Sequence, residues 1–321
     1  MMRLGLQGRL LVTGGAGFIG RALCRRLVAD GYAVTVLDDL STGDARALPP
    51  GVTLIEADIC DRAALCEALA DVDGVFHLAA VSSVEACLSA PAAASRTNLQ
   101  GTVTLLEEAS GRPVVHASSA AVYGEQSALP IRETATPDPM SPYAVDKLAS
   151  EGHLALAASL RGERTVALRL FNVYGPGQPP HVPYAGVIAR FAARALAGHT
   201  LRIQGDGAQV RDFVHLDDVI EALISSMAYI RGAPAGEHLC ANVCSGEAVT
   251  VLDVARALSR IAGQGAPIEF TDRRPGDIRH SLGDPTRARQ VLGLEPTRGL
   301  ESGLQNVVDH LSVVPIRARF G

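Results

Sequence analysis

A tyrosine and a lysine stand four residues apart, at Tyr143 and Lys147, in a segment whose pattern predicts a helix. Side chains at positions i and i+4 share one face of a helix, so these two should meet. A free tyrosine has a pKa of about 10, too high for a base at neutral pH, and an adjacent ammonium lowers that pKa. Ser118 and Ser119 end the preceding predicted strand, and such a hydroxyl can share the proton of the tyrosine. The pattern predicts a proton-transfer site; the alternative is a chance pair on an ordinary helix.

Gly14, Gly17 and Gly20 form a G-x-x-G-x-x-G spacing directly after the first predicted strand and open the first predicted helix. The absent side chains allow a tight turn and let a pyrophosphate approach the helix N-terminus, whose N–H groups and dipole favour anions. Asp38 ends the second predicted strand, 21 residues beyond Gly17. A carboxylate there accepts hydrogen bonds from ribose hydroxyls and repels a 2′-phosphate. The context predicts a dinucleotide site that takes NAD rather than NADP; the alternative is a glycine-rich turn that binds nothing.

Short apolar runs alternate with amphipathic stretches through the first half of the chain and must position these groups. Runs such as Val34–Leu37 are typical of parallel strands that are buried on both faces. Strands that alternate with helices predict an α/β fold, a Rossmann doubly wound parallel sheet. The predicted strands are Arg9–Thr13, Ala33–Leu37, Thr53–Glu56, Gly74–Leu78, Pro113–Ser118 and Thr165–Phe171, and the predicted helices are Phe18–Asp30, Cys60–Leu69, Ala92–Ser110 and Pro142–Leu160.

The pattern changes after Tyr174. Residues 175–183 contain Gly, Pro and Gln without periodicity, which predicts a loop. Beyond it we predict helices at Ala185–Gly198, Leu216–Ile230 and Val251–Ile261, and strands at Leu239–Cys244 and Ile268–Thr271.

The composition limits the class of protein. The chain has 321 residues, of which 47% are hydrophobic and 20% charged, and its formal net charge is −5. At about 150 residues per domain, this length predicts two domains or one large α/β domain with an appendage. The negative charge argues against nucleic acid or an anionic membrane surface as the main partner, and no apolar run approaches the ~18 residues of a membrane helix.

Six cysteines are scattered along the chain without a C-x-x-C pair, which predicts reduced thiols in a cytoplasmic protein. Cys240 and Cys244 would be half of a metal site, but no second ligand pair follows them. We therefore expect no metal, and alternate inward positions of one buried strand are the favoured interpretation.

Ten segments follow a common pattern along nearly the whole chain: VTGGAGFIG (12–20), LDDLSTG (37–43), DI (58–59), FHLAA (76–80), Asn98, SSAAVYG (118–124), SPYAVDK (141–147), RLFNVYGPG (169–177), GDGAQVRDFVHLDD (205–218) and RPGDIRHSLGD (274–284). In these segments the chain resembles the extended short-chain dehydrogenase/reductases, and within them the nucleotide-sugar epimerases typified by UDP-glucose 4-epimerase.

The resemblance implies a role for particular residues. It implies a catalytic set of Ser119, Tyr143 and Lys147, and it implies cofactor contacts at Gly14, Gly17, Phe18, Ile19, Gly20, Asp38, Asp58, Ile59 and Lys147. It also implies that the nucleotide diphosphate of the substrate is held by Asn172, Arg211, Arg274 and Asp277. Two arginines suit a dianionic pyrophosphate. The alternative for Arg211 is a surface ion pair with Asp212.

The activity that the resemblance implies is NAD-dependent 4-epimerisation of a UDP-hexose through a transient 4-keto sugar. Ala120 and Ala121 stand where related dehydratases carry an acid–base pair, and related decarboxylases place a glutamate at position 121, so both absences favour epimerisation. The alternatives are another enzyme on this scaffold (a UDP-glucuronate epimerase, dehydratase, decarboxylase or reductase) and a non-catalytic NAD-binding regulatory protein. Ala86 and Cys87 depart from the usual Arg and Ser, so the resemblance does not define that edge of the sugar pocket.

Ser281 lies four residues after Asp277, where the family lines the pocket beside the 2-substituent of the sugar. A small side chain there predicts room for a 2-acetamido group, and hence turnover of UDP-N-acetylglucosamine and UDP-N-acetylgalactosamine. The alternative is a serine that only caps a turn. The resemblance further implies a cofactor domain of residues 1–175 and 213–246, a discontinuous substrate domain of residues 176–212 and 247–321, and a homodimer built from the helices predicted at 92–110 and 143–160.

Overall fold

The strands of the protein are short and mostly parallel. The computed structural model describes residues 8–182, 185–263, 265–273 and 276–313. Its strands are β1 Arg9–Thr13, β2 Ala33–Asp38, β3 Thr53–Glu56, β4 Gly74–His77, β5 Val114–Ser119, β6 Thr165–Leu170, β7 Asn172–Tyr174, β8 Leu201–Gln204, β9 Val210–Arg211, β10 Phe213–His215, β11 His238–Val243, β12 Val249–Thr250, β13 Ile268–Thr271 and β14 His280–Ser281.

Helices connect most of these strands. They are α1 Phe18–Ala29, α2 Arg62–Ala68, α3 Val84–Ser89, α4 Pro91–Ser95, α5 Gly101–Glu108, α6 Pro142–Arg161, α7 Val187–Leu196, α8 Leu216–Gly232, α9 Val251–Ile261, α10 Thr286–Leu292 and α11 Leu300–Val313. Within the described ranges, no helix combines the length and the apolar character that crossing a membrane requires.

A seven-stranded parallel sheet in the order β11-β6-β5-β4-β1-β2-β3 forms the centre of the protein. Successive residues of β1 point to opposite faces: Leu10 and Val12 pack in one hydrophobic cluster with α1 and α8, and Leu11 packs in another with α2 and α5. The doubly wound sheet predicted from the sequence is therefore confirmed. Strand order reverses between β1 and β4, and the carboxyl ends of parallel strands at such a point are where open α/β sheets bind ligands.

The long helix predicted at Ala92–Ser110 is present as a continuous helical segment, but it is not regular, because a π-helical turn at Arg96–Gln100 lies between α4 and α5. The buried Asn98 side chain turns towards the loop after β4: its Oδ1 accepts from the Val81 N–H at 2.8 Å, and its Nδ2 donates to the Val81 carbonyl at 3.2 Å. A contact between a helix and a distant loop competes with the regular helical ladder, and helical periodicity alone does not reveal it.

A second hydrophobic cluster lies outside the large sheet. It is formed mainly by α7, α9 and α11, together with short strands that include β8 and β10. Tyr174 and Phe213 belong to this cluster, whereas Ala288 and Leu292 of α10 pack with the first cluster. β11 joins the large sheet beside β6, so the chain returns to that sheet after its excursion. The domain division at residues 175/176, 212/213 and 246/247 stays a prediction.

Candidate active site

The turn between β1 and α1 leaves no room for side chains. Gly14 has a φ of 70° and donates its N–H to the Leu37 carbonyl at 2.9 Å, and a Cβ on it would lie 2.6 Å from the Ala79 backbone nitrogen. A Cβ on Gly20 would lie 2.2 Å from the Gly14 carbonyl oxygen. α1 begins directly after Gly17 without a side-chain cap, so the N–H groups of its first turn, including those of Phe18 and Ile19, have no partner within the helix. The turn fits a pyrophosphate.

Asp38 lies beside this turn at the end of β2 and is buried. Its Oδ2 accepts from the Ala16 N–H at 2.9 Å, and its Oδ1 accepts from the Leu40 N–H at 2.9 Å. Each carboxylate oxygen can accept more than one hydrogen bond, so Asp38 holds the glycine turn in place and keeps acceptor capacity for ribose hydroxyls.

The next two predicted cofactor positions differ from each other. Burial opposes ionisation of Asp58, but the N–H of Cys60 and the guanidinium of Arg96 outweigh it and lower the pKa of the Asp58 carboxyl. Ile59 is buried in the hydrophobic cluster with Leu65 and Leu105. Asp58 can therefore offer a charged side chain, whereas the side chain of Ile59 supports the fold.

The predicted tyrosine and lysine do lie on one helix. α6 begins at Pro142, after Ser141, whose hydroxyl accepts from the Ala144 N–H. Lys147 is buried, and its Nζ donates to the Ala117 carbonyl at 2.7 Å and lies 5.9 Å from the centroid of the Tyr143 ring. Lys147 is also the only lysine among the 321 residues.

Burial dominates the electrostatics of this pair. Loss of solvation raises the pKa of Tyr143 to about 12, and a hydrogen bond with the Ser119 side chain acts in the opposite direction. Loss of solvation lowers the pKa of Lys147 to about 8, although the carboxylates of Glu151 and Asp146 favour its charged form. In the protein alone the pKa of Tyr143 is therefore raised rather than lowered, because desolvation outweighs the hydrogen bond with Ser119; the predicted lowering invoked a nicotinamide cation as well as the ammonium.

Three of the predicted substrate residues come together away from the seven-stranded sheet, namely Arg211, Asp277 and Ser281. Arg211 donates from Nη2 to Asp277 Oδ1 at 2.6 Å, with both side chains mostly buried. β14 pairs in parallel with β9 so that Ser281 lies beside Arg211, and paired residues of adjacent strands point to the same face. Asn172 donates from Nδ2 to the Asp212 carbonyl at 3.1 Å. Arg274 lies outside the described residues.

The surface ion pair considered for Arg211 and Asp212 does not form. The Asp212 carboxylate is fully buried and accepts from the Ser245 N–H and hydroxyl and from the N–H groups of Gly246 and Gly283. Arg211 turns instead to Asp277 and keeps a small part of its side chain exposed.

Comparison with known proteins decides the family. The profile of the NAD dependent epimerase/dehydratase family matches residues 10–241. The chain belongs to this family. It is 40% identical to the UDP-glucose 4-epimerase of Mycolicibacterium smegmatis, over 94% of this chain and 97% of that protein.

Solved structures of other members of the epimerase/dehydratase family superpose on nearly the whole chain. The UDP-glucose 4-epimerase of Thermotoga maritima, solved with UDP-glucose, is 36% identical, with a TM-score of 0.90 over 95% of this chain and 98% of that one. A UDP-N-acetylglucosamine 4-epimerase from Methanobrevibacter ruminantium, solved with UDP-N-acetylmuramic acid, is 33% identical, with a TM-score of 0.89 over the same shares. The Thermus thermophilus UDP-glucose 4-epimerase, solved with NAD, is 36% identical, with a TM-score of 0.86 over 96% of this chain and 100% of that one.

Polar residues that the sequence did not point to surround the candidate active site. Glu151 and Arg169 form a buried ion pair next to Lys147, and Ser118 donates its hydroxyl to Glu151. The spacing of Glu151, four residues after Lys147, was the available signal. Asn98 was noticed only as part of the family pattern, and its contact with Val81 was not.

No group of three or more His, Cys, Asp or Glu side chains in the described ranges is arranged to hold a metal ion. Cys240 lies within β11 and is half-buried, whereas Cys244 follows the end of the strand and is buried. The interpretation of two inward positions on one strand is therefore only partly right. All six thiols are free.

Proposed function

We propose that this protein catalyses the NAD-dependent 4-epimerisation of a UDP-hexose, with interconversion of UDP-glucose and UDP-galactose as the basal reaction. The observation that carries the proposal is the position of Tyr143 and Lys147, on the helix that packs over the carboxyl end of β5, where Ser119 also lies. The neighbouring glycine turn and Asp38 fit a dinucleotide, and relatives with the same fold over nearly the whole chain are UDP-glucose 4-epimerases.

Tyr143 is the base that takes the proton from the 4-hydroxyl of the sugar, and Ser119 shares that proton. Lys147 holds its ammonium one helical turn away and favours the phenolate. NAD, held by the glycine turn and Asp38, would supply a hydride acceptor and donor for carbon 4 of the sugar, and return of the hydride to the other face of the sugar ring would leave the cofactor unchanged overall. Between these two steps the 4-keto sugar must turn within the cleft while its nucleotide stays bound.

The nucleotide diphosphate of the substrate would be held by Asn172, Arg211, Arg274 and Asp277. A guanidinium presents paired donors that match phosphate oxygens, and partial burial strengthens such hydrogen bonds. In the protein alone, Asp277 occupies the Nη2 donor of Arg211 and keeps the guanidinium oriented.

A dehydratase or decarboxylase reaction is less well supported. Ala120 and Ala121 directly follow Ser119 in a short 3₁₀ turn and carry no acid or base. A purely regulatory NAD-binding protein would not need Tyr143 paired with the buried Lys147. Incubation of the purified protein with a panel of UDP-sugars, with products followed by NMR, separates these activities. A mixture of 4-epimers supports the proposal, whereas a 4-keto-6-deoxy sugar or a pentose points to the other enzymes. The absence of any product contradicts an enzymatic role.

The proposal extends to the assembly and location of the protein. Val145, Leu156 and Leu160 leave apolar side chains exposed along one face of α6, with exposed fractions of 50%, 54% and 77%. A homodimer that packs this face against its copy would cover them. The six free cysteines suit a reducing compartment, and we place the enzyme in the cytoplasm.

A further inference from the structure

Glu151 is a buried carboxylate that the proposed reaction does not use. It lies one turn beyond Lys147 on α6 and is 6% exposed. Arg169 of β6 donates to it from Nε at 3.0 and 3.2 Å and from Nη2 at 2.7 Å, and the Ser118 hydroxyl donates to its Oε1. Fork-shaped donation by the guanidinium makes Glu151 and Arg169 a buried ion pair, and its carboxylate lies one helical turn from the only lysine.

Among the other titratable groups that face Lys147 in the described ranges, Asp146 is the single carboxylate. These groups are Tyr143 and Asp146 on α6, Cys87 on α3, His77 on β4 and His116 on β5. Burial raises the pKa of the Cys87 thiol and lowers the pKa of His77 to about 3, so both are neutral near pH 7. Asp146 accepts the hydroxyl of Ser95 at 2.8 and 3.0 Å. The carboxylates of Glu151 and Asp146 are therefore the anionic neighbours of Lys147.

Glu151 also contacts the strand that carries Ser119. The hydroxyl of Ser118 donates to Glu151, and the carbonyl of Ala117 accepts from Lys147, so two consecutive residues at the end of β5 are tied to α6. Ser118 and Ser119 are adjacent in β5, so the hydrogen bond from Ser118 to Glu151 anchors the stretch of backbone that carries Ser119, whose side chain hydrogen-bonds Tyr143. One carboxylate thus acts on both partners of Tyr143.

We propose that Glu151 is a positioning residue, which keeps the Lys147 ammonium charged and anchors the end of β5 through Ser118. The inference deepens the proposed epimerase function, because it names the group that maintains the charge beside the base. Arg169 supports this role by fixing the carboxylate of Glu151 in place, and its guanidinium lies 4.7 Å from the centroid of the Tyr123 ring.

The single lysine allows a direct test. Protein labelled with ¹³C-lysine gives one side-chain signal, and its titration reports the pKa of Lys147 whether or not the protein turns over a sugar. In Glu151→Gln we expect the Lys147 pKa to fall by about one unit or more, since an opposite charge at this range is worth one to three units. The alkaline limit of kcat should move to lower pH by the same amount.

Glu163→Gln is the matched control. Like Glu151, Glu163 is buried and accepts from a serine hydroxyl. Its other donor is a backbone N–H, and it lies beyond the far end of α6. Its substitution should leave the lysine titration unchanged, and Glu151→Asp should largely restore it. If Glu151→Gln does not fold, the double variant Glu151→Gln/Arg169→Met removes the whole ion pair without leaving an unpaired charge and should show the same fall.

An unchanged lysine titration in Glu151→Gln, or in the double variant, overturns the positioning role even if activity drops. If Glu151→Gln lowers the Lys147 pKa but the wild-type protein has no epimerase activity, the positioning role is supported and the proposed function is contradicted. The two conclusions can therefore fail separately.

Discussion

At the scale of single residues, the site depends on a tyrosine that burial makes a weaker acid than free tyrosine. Its pKa of about 12 in the protein alone must be lowered for it to act as a base, and Lys147 and the positively charged nicotinamide are the groups that favour the phenolate. Sequence spacing identified the pair, because i and i+4 geometry is local. It did not identify Glu151 and Arg169, whose contact joins a helix to a strand 18 residues away.

Removal of the Tyr143 hydroxyl tests the base. In Tyr143→Phe the ring still packs, so folding and bound NAD should be retained, while turnover of UDP-galactose should fall about 100- to 10,000-fold. Steady-state kinetics together with NAD released on denaturation measure both effects. Turnover above one tenth of wild type would remove Tyr143 from this role.

The side chain at Ser281 should control the size of the sugar. In Ser281→Tyr a phenol enters the space beside Arg211, and we expect it to cost N-acetylated substrates ~1–3 kcal/mol through overpacking while sparing plain hexoses. The measurement is kcat/KM for UDP-N-acetylgalactosamine relative to UDP-galactose, in wild type and variant. An unchanged ratio would leave Ser281 as a turn residue only, and a wild type inactive on both N-acetylated sugars would contradict the wide pocket.

At the scale of elements, those with clear apolar patterning were predictable, and strands of two or three residues were not. β1, β3, α9 and β13 agree with the predicted bounds to the residue, because each has strong apolar patterning between clear turn residues. The strands of two or three residues, such as β9 and β14, carry too little pattern to be recognised. Their pairing nevertheless brings Ser281 to Arg211, so this part of the candidate site depends on a register that sequence reasoning could not reach.

Two neighbouring buried histidines lie in the middle of the sheet. We expect them to affect the free energy of unfolding in opposite directions. His77 of β4 bonds Thr13 at 2.8 Å and Thr102 at 2.9 Å, whereas both ring nitrogens of the neighbouring His116 are buried without a partner in the part of the chain that the structure describes. We expect His116→Phe to raise the free energy of unfolding by about 1 kcal/mol, because an unsatisfied buried polar group is removed.

His77→Phe is the control for that substitution and should destabilise the protein, since it removes one buried hydrogen bond from each of two threonine hydroxyls. Urea unfolding of both variants measures the difference. If His116→Phe is as destabilising as His77→Phe, then His116 has a satisfied role in the core.

At the scale of the whole molecule, the order of motifs along the chain was enough to predict the fold and the family. The domain boundaries are a different matter, since α10 follows the substrate segments in sequence but packs with the sheet cluster through Ala288 and Leu292. Boundaries implied by the family resemblance do not show such a return, because the packing partners of a helix depend on the three-dimensional fold.

The exposed face of α6 should decide the oligomeric state. In a symmetric dimer each substitution occurs twice, so Leu156→Glu should raise the dissociation constant at least ~100-fold, given ~1.5–3 kcal/mol for each buried leucine. Val313→Glu, which alters an apolar side chain that is 81% exposed on α11, should have no effect. Sedimentation equilibrium reports the mass, and a monomeric wild type would contradict the proposed dimer.

The single, buried lysine has a consequence for the chemistry of the whole surface. Positive charge on the exterior is carried by arginine, so acylating reagents, amine cross-linkers and enzymes that transfer acetyl groups or ubiquitin to lysine have no side-chain target there. The one ε-amino group lies within the proposed reaction centre, and its pKa of about 8 makes it nucleophilic when it loses its proton. Any small acylating agent that enters the cleft would therefore combine labelling with inactivation, and protection by a UDP-sugar would report occupancy of the cleft without a coupled assay.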